Sequence, residues 1–285
     1  MRLLLNLSLL LLLSTSQVLF AAPVWQITKD NQSFYLVGTV HLLSETDFPL
    51  PKAFDTAFNA SKHLIFETDL AELTSPKGMS QLMAQNTYPP GQNLQRVLSK
   101  EVYQQLQGTA LERQWPLTSI EQFKPAFAAI MLATLELQRL GAASTGVDLH
   151  YLQLAKQQQK KYSGLETLDE HLGVMTALNT LDANSIISAT LKDLAQTETM
   201  LSQMKAAWRS GDTAALETLF LNEMKSFPEM YNIMLVNRNH AWMRILGQLN
   251  EPGVMVLVGA LHMVGEDGLL KLLTEQGYTI QQVTE

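Results

Sequence analysis

Two segments at opposite ends of this chain repeat one design. Leu36-Val37-Gly38-Thr39-Val40-His41 and Leu257-Val258-Gly259-Ala260-Leu261-His262 each run an apolar stretch into Gly-x-x-His. A short apolar, β-branched run closed by glycine fits a buried strand better than a helix. In a parallel sheet the carboxyl ends of neighbouring strands share one edge, and ligand sites form in the crevice there. Two strand-end histidines can therefore face one pocket. The glycines fit that placement, because they let backbone turn sharply or approach a ligand where a Cβ would clash. Neutral imidazole serves as a metal ligand or as a base near neutral pH, so the pair suits either role.

The rest of the chain reads as an α/β fold around those strands. His63-Leu64-Ile65-Phe66 is a further strand leading into Glu67, and Ala53, Phe54, Ala57 and Phe58 between it and the first motif have helical spacing. Strand, helix, strand begins a parallel sheet. From roughly 70 to 249 the pattern is mostly helical, broken at Tyr88-Pro89-Pro90-Gly91, Gly141 and Gly211-Asp212. Within it, Gly146-Val147-Asp148 opens a helix, and Tyr162 to Leu165 is a short strand that puts Glu166 at its end before a helix starting near Leu168. Val254 to Val258 is a strand, Gly259 to Gly265 a loop, Glu266 to Gln276 a helix and Tyr278 to Val283 a last strand. Glu266 and Asp267 would then occupy that helix's first turn, where the macrodipole favours acids. The expected fold is a central mixed, largely parallel sheet built from both chain ends, with a large helical insertion.

Glu67 and Glu166 supply carboxylates on the same predicted edge. Two histidines with one or two carboxylates match a hydrolytic metal site that keeps a position open for water. No His-Glu-x-x-His helix motif and no Gly-x-Ser-x-Gly elbow is present, so any ligands must be gathered by the fold. The blander readings are a hydrogen-bonded structural histidine at each strand end and a helix cap or surface carboxylate for each glutamate. His63, His150, His171 and His240 lack comparable context and read as structural or solvated. The methionines at 200, 204, 224, 230, 234 and 243 read as gap-filling core. On spacing alone, Arg238 and Asn239 read as part of a helix surface.

Composition and the amino terminus narrow the function. Apolar residues make up 46% of the 285, charged residues 16%, and the formal charge is −7 without a Lys/Arg run. That excludes a disordered chain and argues against a nucleic-acid partner. Arg2, the apolar run Leu3 to Leu13, a polar patch and small residues at Ala21 and Ala22 predict a secretory signal over 1–22, with an uncleaved anchor as the alternative. The predicted mature unit is a single domain over 23–285, exported to the periplasm or secreted, with no stable membrane span after cleavage. The chain contains no cysteine, so neither a disulfide framework nor a thiol nucleophile is available.

Taken together, FYLVGTVHLL (34–43), LIFETDL (64–70), the stretch from Gly146 to Leu172, VNRNHAWM (236–243) and the stretch from Val256 to Tyr278 resemble the TraB/GumN family. That family also holds the PrgY and Tiki proteins. The resemblance covers about Trp25 to Val283. It implies a fold akin to the erythromycin esterase and ChaN-like group, with the paired motifs and glutamates as active site. Tiki proteins are metal-dependent proteases, so it also implies a divalent ion (manganese, cobalt or zinc) and a peptide or small acyl substrate. Matching residues would be His41, His262, Glu67 and Glu166 as metal ligands, with Glu67, Glu166, Arg238 and Asn239 in catalysis. Gly38, Gly259 and Asp148 would line or orient the substrate site. The alternatives are a peptide-sequestering protein that never cleaves, and a metal-free hydrolase with a histidine base.

Overall fold

The computed structural model describes residues 21–41, 43–142 and 145–284. The apolar run Leu3 to Leu13 lies outside them. Ala22 is already buried, in the first strand.

Six strands form one sheet: β1 (Ala21–Lys29), β2 (Gln32–Thr39), β3 (His63–Thr68), β4 (Lys161–Glu166), β5 (Val254–Gly259) and β6 (Thr279–Thr284). Their order is β4-β3-β5-β2-β1-β6. β5 lies between β2 and β3 and pairs parallel with both, while β4 pairs parallel with β3. β1 runs antiparallel to both β2 and β6. The sheet is thus mixed, largely parallel and built from both ends of the chain. Its middle strands are buried on both faces: every residue of β3 is buried, and so is β5 from Val254 to Val258.

The register places chemistry on one edge. Thr39 pairs with Gly259 and Thr68 with Glu166, so the carboxyl ends of β2, β5, β3 and β4 stand side by side. Helix Lys52–Ala60 turns Ala53, Phe54, Ala57 and Phe58 into the core, and Phe54 packs against Tyr151 and Trp208. Within the helical insertion a second, smaller core gathers Leu94, Leu98, Leu106, Ile120, Leu132 and Ile187. The apolar stretch near 126–140 is helix Pro125–Arg139, and its buried Glu136 is held between Arg113 and Arg139. Met243 is buried, and Met204, Met224 and Met234 pack partly buried against the main core. Among the described residues no helix is long and apolar enough to cross a membrane.

Two details differ from the sequence reading. β1 is a full nine-residue strand that begins at Ala21, in the segment expected to end the signal, and runs through residues for which the sequence suggested no element. The last helix begins at Leu269, not Glu266, because Gly265 adopts φ +84° and a turn closes from Gly268 N–H to the Gly265 carbonyl. Glu266 and Asp267 therefore lie in the turn before the helix, and Asp267 accepts a hydrogen bond from the Tyr231 hydroxyl. The loop after β5 also contains a 3-10 turn, Ala260–Met263, which carries His262.

Candidate functional site

Helix caps decide which acids are free for chemistry. After β3 the helix Leu70–Leu73 is capped by Asp69, whose carboxylate accepts from Ala71 and Glu72 N–H. After β4 the helix Leu168–Leu178 is capped by Thr167 and Glu170 in a capping box. Neither Glu67 nor Glu166 caps anything. Asp148 lies in the first turn of helix Val147–Gln157 without capping it; its oxygens accept from Thr39 Oγ1 at 2.9 Å and face His41 Nδ1 at 2.9 Å. Gly146 permits that contact: a Cβ there would lie 2.2 Å from the His41 carbonyl oxygen.

Arg238 is the hub. It follows a π-helical segment, Asn232–Val236, and its Nη1 returns to the Met234 carbonyl at 3.4 Å. The guanidinium stacks over Trp242, 4.7 Å from the ring centroid. Its Nε and Nη2 fork onto Glu166 at 3.2 and 2.6 Å, and Nη2 also donates to Glu67 Oε2 at 2.6 Å. With only 10% of its side chain exposed, Arg238 is a buried bridge between two carboxylates, not the surface pair that spacing implied. Burial opposes its charge, and Glu67 and Glu166 outweigh that, raising its pKa further. Glu166 also accepts from His171 Nδ1 at 2.6 Å and from Trp242 Nε1 at 3.3 Å.

The two motif histidines present the same nitrogen to the pocket. Asn239 donates from Nδ2 to the carbonyls of His262 and Asp267, which fixes its Oδ1 toward His262 Nδ1 at 2.6 Å. His262 Nδ1 therefore carries the proton, and Nε2 offers its lone pair, 3.2 Å from Arg238 Nη1 and 3.8 Å from Glu67 Oε1. For His41, Asp148 behind Nδ1 likewise leaves Nε2 facing in. Gly259 lies where they meet. A Cβ on it would sit 3.2 Å from Glu67 Oε1, 3.7 Å from His41 Nε2 and 3.7 Å from His262 Cδ2. The Gly259 N–H also donates to Glu67 Oε1 at 2.7 Å. Gly38 sits one layer behind, its carbonyl taken by Trp208 Nε1.

The charges divide sharply. Burial pushes His262 down to about 4, and nearby Arg238 adds to the effect against the pull of Glu67. Asp148 raises His41 to about 9 against the cost of partial desolvation, and 67% of the side chain faces solvent at the mouth of the site. Burial alone would raise Glu67, but His262, Arg238, His41 and the Gly259 N–H hold it well below the usual carboxylate range. Glu166 is also lowered: burial works against it, and His171 and Arg238 prevail.

Two donor sets could receive a cation. Glu67, Glu166 and His171 have ligand atoms mutually within 4.8 Å, but the Arg238 guanidinium already bridges the two carboxylates. The other set is His41, His262 and Glu67, with His41 Nε2 and Glu67 Oε1 beside Gly259 and His262 Nε2 3.8 Å from Glu67 Oε1. Both of its imidazoles are oriented from behind by a carboxylate or amide oxygen, as ligating histidines commonly are, but its donor atoms are not gathered within 4.8 Å as those of the first set are, and Arg238 reaches His262 Nε2 and Glu67 here too. His171 had no signal in the sequence beyond standing five residues after Glu166; only the fold brings it back to that carboxylate.

The carboxyl edge of this α/β sheet thus collects two histidines and two glutamates around a bridging arginine. The chain belongs to the TraB/PrgY/gumN family, whose model matches residues 23–282. It is similar to the uncharacterized protein YbaP of Escherichia coli, at 26% identity over 85% of this chain and 88% of the relative. It is also similar to the metalloprotease TIKI1 of Danio rerio, at 24% identity over 90% of this chain and 62% of the relative. Metalloprotease TIKI1 of Homo sapiens is 23% identical over 90% of this chain and 61% of its own length. The chain thus spans about three-fifths of these metalloproteases. No solved structure matches it.

Proposed function

We propose that this chain is a metal-dependent hydrolase of peptide or other acyl bonds, acting at the carboxyl edge of its sheet. The observation that carries the reading is the approach of Glu67 Oε1, His41 Nε2 and the His262 ring edge to the space a Cβ on Gly259 would fill, with His262 Nε2 3.8 Å from Glu67 Oε1. A divalent ion held by those three residues would supply a Lewis acid and lower the pKa of a water. The distant kinship with TIKI metalloproteases supports that assignment.

The chain's own residues have separable tasks. Asn239 keeps the His262 proton on Nδ1, and Asp148 with Thr39 turns His41 Nε2 inward. Arg238 supplies fixed positive charge beside Glu67, where negative charge on a substrate carbonyl oxygen would be stabilised. Glu166 has its oxygens engaged by Arg238, His171 and Trp242, which suits holding the guanidinium better than accepting a proton. Gly259 leaves space for the reacting group. The signal segment read over 1–22 supports an activity in the cell envelope or outside the cell.

A second reading rests on His41, the one motif residue at the mouth. With Asp148 behind it and a pKa raised to about 9, it is protonated at neutral pH and could act as a general acid in a metal-free hydrolase.

Elemental analysis and calorimetric titration with manganese, cobalt and zinc, run beside a peptide-cleavage screen, separate the two. Near-stoichiometric metal in the wild type, lost in the His41→Ala, His262→Ala double variant, with cleavage abolished by chelator, is the expected outcome. Turnover that survives complete metal removal would replace this mechanism with the His41 acid.

A further inference from the structure

At the opposite edge of the sheet a second set of reactive groups is wired together. His63 opens β3 with its side chain buried; its Nδ1 lies 3.0 Å from Glu251 Oε2 and its Nε2 2.8 Å from Ser163 Oγ. A carboxylate only accepts, so Nδ1 carries the proton and Nε2 offers the lone pair to which the Ser163 hydroxyl donates. Hydroxyl to imidazole to carboxylate is the polarity that activates a serine oxygen.

The three come from different elements, and backbone bonds pin them. Lys62 and His63 N–H both donate to the Gly253 carbonyl, at 2.7 and 3.2 Å, which fixes the turn carrying Glu251 against the start of β3. Lys161 N–H donates to the Lys62 carbonyl at 3.1 Å, which fixes β4 on the other side. Glu251 is half exposed and held below the usual carboxylate range, first by the His63 hydrogen bond and also by Lys161. Ser163 is only half-buried, on the outermost strand of the sheet. None of these residues takes part in the carboxyl-edge site.

We propose that Ser163, His63 and Glu251 form a second, serine-nucleophile centre at the amino edge of the sheet, taking small activated acyl esters. The Ser163 Oγ–C bond forms as the hydroxyl proton passes to His63 Nε2. The bond to the alcohol leaving group then breaks as that group takes the proton from His63. Water, deprotonated by the same nitrogen, hydrolyses the acyl-serine to the free acid. No oxidant or cofactor enters.

A fluorophosphonate tests this on the full chain. Ser163 Oγ would displace fluoride from phosphorus, and the proton would leave with it. Intact-mass analysis and peptide mapping should show one adduct, on Ser163, forming at least tenfold more slowly in Glu251→Gln and in His63→Gln. The rate should be unchanged by chelator and in the His41→Ala, His262→Ala double variant, so labelling stands or falls apart from the metal reading. A folded wild-type chain in which Ser163 takes up no more label than exposed Ser99 would overturn the proposal and leave the three residues as a tie between strands.

Discussion

His41 and His262 occupy equivalent places in their motifs, yet they titrate in opposite directions because their surroundings differ. His41 is raised from 6.5 to about 9, so the stability it contributes is complete below 6.5 and is lost as pH rises through 9. Solvent at its exposed face keeps that amount small. His262 is lowered from 6.5 to about 4, so between those values the unfolded chain binds more protons, and stability falls as pH drops across the window. The loss amounts to something on the order of 3 kcal/mol. Urea midpoints measured from pH 4 to 10 should therefore sag on the acid side and, more weakly, above pH 6.5, with the alkaline arm gone in Asp148→Asn. A flat midpoint between pH 4 and 6.5 would contradict a buried neutral His262. The histidine pair itself was legible in the sequence, because Gly-x-x-His recurs after two apolar runs. Illegible were the groups behind it: that Asn239 would fix a tautomer, or that His171 would reach Glu166, depends on where helices dock.

Strand ends deliver the site, and the elements following them keep it clear of competing work. Asp69 and Thr167 take the capping roles, which leaves Glu67 and Glu166 to Arg238. The start of helix Val147–Gln157 touches the end of β2 through the Val147 N–H to Val40 carbonyl bond of 3.0 Å, and Gly146 makes room for it. Gly146→Ala should cost about 1–3 kcal/mol through overpacking against the His41 carbonyl. Calorimetry would read this as a lower Tm, and an unchanged Tm would mean the helix start can shift away freely. Most of the strands and the helix from Val147 were readable from periodicity, glycine and proline. β1 was not, because its stretch before Trp25 resembles the end of an export signal. The last helix was started early, because acids after a glycine look like a first turn until Gly265 and Gly268 prove to form a turn of their own.

In the whole molecule the sheet has a gap that only the final stretch of chain can fill. β2 and β3 follow each other closely in sequence, but neither pairs with the other; β5 lies between them. A chain ending at Gly253 would leave the apolar edges of β2 and β3 unpaired and is expected to show no cooperative urea transition. Cooperative unfolding of that fragment would show that the first four strands can close on one another. The sequence carried the class of this architecture, since apolar strands at both ends require a shared sheet. It did not carry the order, because no local pattern records which strand will be a neighbour. That order also sets a clock. As the chain grows from its amino terminus, His41, Glu67, Asp148, Glu166 and Arg238 all exist before β5 has been made, and the sheet edge that carries His41 has no strand joining it to the edge that carries Glu67 and Glu166 until β5 arrives. A site assembled this way stays incomplete throughout the chain's own synthesis, whatever chemistry it performs, while the cell's unfinished proteins are nearest to hand.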